Sequence, residues 1–158
     1  MRQLAGNWPG TLAVACAAIL LAACEGIFTG TAAESRPLEP DAGGGFKPVT
    51  VALTTEMSPV ALNIHAELGN NPHETGKWNS YRLTLSRGGQ VVASRNFNVT
   101  YTGTYDLPPA HPAQVITMLT HRVAESGEYE VSIQPARAVE VALQNPRLEV
   151  RRNVHLPQ

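Results

Sequence analysis

Beyond residue 48 the chain alternates between apolar and polar positions. The longest run is Val60-Ala61-Leu62-Asn63-Ile64-His65-Ala66-Glu67-Leu68. Extended backbone sends successive side chains to opposite faces, so Val60, Leu62, Ile64, Ala66 and Leu68 line one face, and Asn63, His65 and Glu67 line the other. That pattern predicts a half-buried strand in which His65 faces solvent and tolerates replacement by Asp. Val49, Val51 and Leu53 repeat the period before the Met57-Ser58-Pro59 interruption. Glu128 to Ile133 alternates strictly, with Tyr129, Val131 and Ile133 inward.

Two further β-rich runs, Trp78 to Ser86 and Gln90 to Tyr101, flank Arg87-Gly88-Gly89. Glycine tolerates the positive φ of a tight two-residue turn, so these runs predict a hairpin. Arg95 interrupts the apolar row Val91, Ala93, Phe97, Val99, Tyr101, which implies a bulge near Arg95 or an arginine stem that reaches out to solvent. Gly69 to Gly76 reads as a loop by its turn chemistry. Thr102 to Gln114 contains Gly103, Pro108, Pro109 and Pro112, which exclude a regular ladder and predict a long loop. Val115 to Thr120 predicts a strand. Val139, Val141 and Leu143 suggest another, Asn145-Pro146 a turn, and Leu148, Val150 and Val154 a last strand. The expectation is an all-β fold, an antiparallel β-sandwich of about seven or eight strands, immunoglobulin-like or jelly-roll-like.

The N-terminal region follows different rules. Arg2 precedes a turn-prone patch, and residues 11–23 are apolar apart from Thr11. Ala and Leu favour a helix there. The run is shorter than the roughly 20 residues a spanning helix needs, and it ends in small residues, as a secretory signal does. It closes on Leu21-Ala22-Ala23-Cys24. Leu, two small residues and Cys in that order resemble the lipobox of bacterial lipoproteins. The resemblance covers about the first 25 residues. It implies that Cys24 carries a diacylglycerol on its sulfur and becomes the first residue of the mature chain, with the membrane as its partner. It also implies sorting by the next residue: Asp commonly retains such proteins at the inner membrane, whereas Glu25 here points to the outer membrane, periplasmic face. In a Gram-positive host the same anchor would leave the protein on the outer face of the plasma membrane.

Residues 24–46 show no sustained period and are rich in Gly, Pro and acid from Glu34 to Gly45. They predict a flexible tether with an r.m.s. span of roughly 25 Å. The expected organisation is a signal peptide at 1–23, a tether at 24–46 and a β-sandwich at 47–158, a length that suits one domain. The cysteines are Cys16 and Cys24, so removal of the signal leaves no disulfide. The whole chain carries a net charge of −1 with neither sign dominant, which argues against nucleic acid as a partner.

Candidate chemistry is sparse. No two of His65, His73, His111, His121 and His155 have zinc-ligand spacing; His65 and Glu67 share a strand face, and a group with His121 requires folding to bring that residue to them. Met57 and Met118 read as core filler. Glu128 and Glu130 resemble paired carboxylates, but a charge ladder with Arg147 and Arg151 is the simpler reading. Arg147, Arg151 and Arg152 form a small basic end. Trp78, Tyr81, Tyr101 and Tyr105 cluster around the hairpin and its loop; the simpler reading puts Trp78 and Tyr81 in the core and Tyr105 over a sheet end, and the alternative is a ligand platform. No cofactor or metal site is expected. Three readings follow: a non-enzymatic, lipid-anchored module that supports assembly or binds another envelope protein, a tethered binder of a glycan or metal, and an enzyme of unknown class. An exposed apolar patch at a sheet edge favours the first, a concave aromatic cleft the second, and a buried group of His and carboxylates the third.

Overall fold

A strand with one apolar face must cover it, and two sheets do so by closing on one another. The computed structural model describes residues 30–68, 76–100 and 114–155. Eight strands occur among these residues: β1 (Thr31–Pro37), β2 (Phe46–Leu53), β3 (Val60–Leu68), β4 (Trp78–Arg87), β5 (Gln90–Thr100), β6 (Gln114–His121), β7 (Gly127–Pro135) and β8 (Leu143–Arg152). A 3₁₀ turn, Thr55–Met57, links β2 to β3. No α-helix is present among the described residues.

Every strand pairing is antiparallel. One sheet has the order β1-β8-β3-β6 and the other β2-β7-β4-β5. The pairs β1–β8, β2–β7, β3–β6 and β4–β5 are nested, so the chain is one long hairpin with β4–β5 at its tip, rolled into two layers. That is the jelly-roll arrangement. The immunoglobulin alternative, in which the first two strands pair, is not the one adopted.

The inner faces supply the core. Val51, Leu53, Val60, Leu62, Ile64, Tyr81, Leu83, Leu85, Val99, Met118, Tyr129, Val131, Ile133, Leu148 and Val150 are buried in it. The alternation in β7 is realised as expected, and Met118 is core; in β3 the inward row Val60, Leu62, Ile64, Ala66 and Leu68 is buried as expected, but Ala61 and Asn63 on the outer face are buried too, and His65 and Glu67 are only partly exposed. Gly88 and Gly89 both take positive φ, at 55° and 79°, and close the expected β4–β5 hairpin.

Several boundaries differ from expectation. The span 24–46 is not a tether throughout, because Thr31–Pro37 is an edge strand on β8. Nearly all of β1 is exposed, so it carries no apolar period to detect, and its main-chain ladder holds it in place. Leu38 and Phe46 are core residues. The Gly-rich acidic stretch between them is an ordered turn around Asp41, whose Oδ1 accepts from the backbone N–H of Gly43 (2.8 Å) and Gly45 (2.9 Å). Gln134 Nε2 donates to its other oxygen at 2.9 Å. Asp41 is held below the ordinary carboxylate range, first by the Gln134 bond.

The strand suggested around Val139 and Val141 is instead the crossing from β7 to β8. Asn145-Pro146 lies inside β8, where Asn145 takes φ 47° and the register against β3 slips between His65 and Glu67. The local bend that Asn and Pro signal is thus a bulge, not a chain reversal. No bulge sits at Arg95, which directly opposes Leu83. The slip lies between Leu85 and Ser86, against Val91 to Ala93. Because β5 is an edge strand, Arg95 escapes to solvent from the inward row, and an inward charge of this kind discourages edge pairing.

Candidate functional site

The strand order brings together residues that are far apart in sequence. On the outer face of the first sheet one cross-strand row runs Ser35, Glu149, Asn63, Thr117, and the next runs Pro37, Arg147, His65, Val115. Asn63 and Glu149 are only 5% and 7% exposed, although they lie on the face opposite the core. Both are on central strands, so neighbouring side chains cover them from either side.

Glu149 is the centre of a hydrogen-bonded group. Its Oε2 accepts from Asn63 Nδ2 at 3.0 Å and pairs with His65 Nε2 at 2.9 Å. Its Oε1 accepts from Arg151 Nη1 at 3.1 Å. Arg151 Nη2 also donates to the Gly30 carbonyl at 2.8 Å, so the group reaches the start of β1. Burial pushes the Glu149 carboxyl up, but the bonds from His65 and Asn63 and the Arg151 charge outweigh it and hold the group below its ordinary value. An ionised carboxylate here accepts from the His65 ring at Nε2. Asn63 Oδ1 is buried without a hydrogen-bond partner. Among the described residues no set of three or more His, Cys, Asp or Glu is placed to hold a metal ion.

The ligand platform is not assembled at Tyr81. This ring is in the core, between Phe46 (centroids 5.9 Å apart) and Phe97 (5.6 Å). Burial raises the Tyr81 hydroxyl pKa, and the bond from Asn79 opposes that rise. An inward position on β4 required an apolar side chain, and tyrosine meets that need with its ring. Trp78 is half-buried, and the Arg137 guanidinium lies 4.1 Å from its ring centroid, so one face is covered. Tyr101 and Tyr105 lie outside the described residues, as do Cys24, His73, His111 and most of the proline-rich loop. Buried Asn79 binds the β7–β8 crossing: its Oδ1 accepts from the N–H of Glu140 (2.9 Å) and Val141 (3.0 Å), and its Nδ2 donates to the Val141 carbonyl (2.6 Å).

The remaining sequence candidates are separated. His121 opposes Val60 at the far end of β3 from His65, so the suggested His65–Glu67–His121 group does not form. Glu128 and Glu130 sit on the second sheet beside Thr50, Ser86 and the Gly88–Gly89 turn, around a shallow depression of about 230 Å³. Arg147 and Arg151 are on the first sheet, so the expected charge ladder is absent. The β7–β8 connection crosses between layers, whereas the ladder required a hairpin. The basic end is also divided: Arg147 Nε donates to Ser35 Oγ near one end of the sandwich, and Arg152 lies at the other.

No protein-family model, curated protein or solved structure matches this chain. Among the described residues no helix is long and apolar enough to cross a membrane.

Proposed function

We propose that this protein is a lipid-anchored, non-enzymatic envelope lipoprotein whose β-sandwich binds another envelope protein. Leu21-Ala22-Ala23-Cys24 carries the anchoring half of the reading. Supporting the binding half, Val91 (63% exposed) and Val92 (43%) stand out together beside the tip of the β4–β5 hairpin, and Val115 (54%) stands at the other end of the same margin. These residues belong to β5 and β6, successive edge strands that lie against each other. Exposed apolar side chains on a sheet margin suit a protein partner, and the Arg95 charge argues for side-chain contact over strand addition. Outer-membrane placement, facing the periplasm, follows from Glu25.

Intact mass tests the anchor. The expected product begins at Cys24 and carries acyl mass, and Cys24→Ser abolishes both. A mature chain with another first residue and no acyl group would refute the reading. Partner capture in mild detergent from wild-type cells should fall at least several-fold in the Val91→Glu, Val92→Glu double variant. Density fractionation should recover the protein with outer-membrane markers, and Glu25→Asp should shift it inward.

The second reading, a tethered binder of a small ligand, draws on the Asn63–His65–Glu149 group. A ligand that donates a hydrogen bond to Asn63 Oδ1 would satisfy that buried acceptor.

A further inference from the structure

Resting on the lipid-anchored reading, we propose that one end of the sandwich is a membrane-facing surface, with Arg122 and Arg152 directed to anionic headgroup phosphates of the bilayer. The cross-strand row Thr31, Arg152, Val60, His121 forms the rim of the first sheet at that end. Arg122 follows His121 directly, and both arginines are exposed. Neither is in an ion pair among the described residues. Residues 30–33, 57–62, 120–123 and 151–155 build this rim and contain no Asp or Glu. The second sheet's side of the same end holds Glu56, Glu128 and Glu125, the last paired with Arg87, so the basic character is confined to the rim. The opposite end of the first sheet is mixed in sign, with Glu39 paired to Lys47 and with Glu67 and Arg147 beside it.

The anchor leaves from this same rim. Gly30 is buried there with φ 70°, and its carbonyl accepts from Arg151. A Cβ at this position would collide with the Arg152 carbonyl oxygen and come within 2.7 Å of Val154 Cγ1. The exit point of the chain is thereby fixed against the end of β8. Only six residue steps separate Cys24 from Gly30, a reach of at most about 20 Å. A chain that short lets this rim come down onto the bilayer, where, within a Debye length of about 8 Å, each basic residue strengthens attraction to anionic lipid. Backbone and side-chain bonds make the end one rigid surface: Asn153 N–H donates to Met57 O (2.9 Å), Val154 N–H to Pro59 O (3.0 Å) and Val123 N–H to Ser58 Oγ (3.0 Å).

The test uses full-length mature protein, its acylation confirmed by mass, in phosphatidylcholine vesicles with and without phosphatidylglycerol and with a lipid-borne quencher. A fluorophore is placed at Ala124→Cys, in the loop at this end, or at Ala42→Cys, at the other. Quenching should be several-fold stronger at residue 124, and phosphatidylglycerol should increase it. The Arg122→Glu, Arg152→Glu double variant should lose that increase while keeping its β-type circular dichroism. Equal quenching at both positions of an acylated chain overturns the orientation alone. Strong quenching at 124 that ignores both phosphatidylglycerol and the charge reversal overturns the role of the two arginines. An unacylated chain removes the anchored reading and the orientation with it.

Discussion

The two sheets have the same number of strands and share one interior, yet their outer faces differ in depth. On the first, Glu149 is buried and held by Asn63, His65 and Arg151. On the second, Glu128 and Glu130 are exposed at the edge of a shallow depression. The comparison teaches that strand alternation assigns a side chain to a face but not to solvent. Glu149 and Glu130 occupy equivalent outward positions by period, and only the neighbours on adjacent strands separate them. A buried polar group whose donors are in place contributes specificity, and it becomes costly when one partner is removed.

The largest effect should come from the interior that both faces share. Leu62→Asp in the first sheet and Val131→Asp in the second each bury an unpaired charge and should cost several kcal/mol, enough to unfold the domain. Loss of the cooperative urea transition would show it, and a variant that retained the transition would contradict the assigned core. The outer faces should then part company. Glu149→Ala strands the buried Asn63 amide and should cost about 2 kcal/mol, whereas Glu130→Ala should stay within about 0.5 kcal/mol. Urea midpoints compared side by side decide it; equal costs would erase the distinction between the faces. His65→Asp sets a second carboxylate beside Glu149, so the tolerance expected from alternation alone is reversed. A loss of about 1 kcal/mol is the expected outcome in the same assay.

The smallest effect is the pH dependence. The folded Glu149 carboxyl is held below its ordinary value of about 4.5. Its contribution is complete above that value and is lost as pH falls through the lowered one. Asp41, also lowered, acts in the same direction. Acid unfolding followed by tryptophan fluorescence should be shallower in Glu149→Gln than in the wild type, and an unchanged slope would remove Glu149 as its source.

These contrasts also explain what could be read from the chain. Val60 to Leu68 and Tyr129 to Ile133 announce their strands because each sends an unbroken apolar row into the core. The edge strand Thr31–Pro37 does not, since neither face is buried and its stability comes from main-chain bonds to β8. Asn145-Pro146 signalled a local bend, and only the pairing with β3 shows that the bend is a bulge. The Glu149 group was hidden for a different reason. Asn63 and Glu149 lie 86 positions apart, and nothing local to either residue records that β3 and β8 are neighbours. Tyr81 is core, the simpler of its two readings, and the platform reading stayed open because a tyrosine at an inward strand position looks the same in sequence as an exposed one.

The nested pairing has a consequence for how the molecule is assembled. The β4–β5 hairpin needs only a two-residue loop, whereas joining β1 to β8 brings Thr31 to Arg152. Loop-closure entropy rises with separation, so the hairpin can close early and the outermost pair is favoured only after the inner pairs have shortened its loop. β8 lies between β1 and β3. A chain crossing a membrane from its N-terminus would therefore deliver last the strand on which its first strand depends, and truncation before Leu143 would leave β1 and β3 each with an unfilled hydrogen-bonding edge.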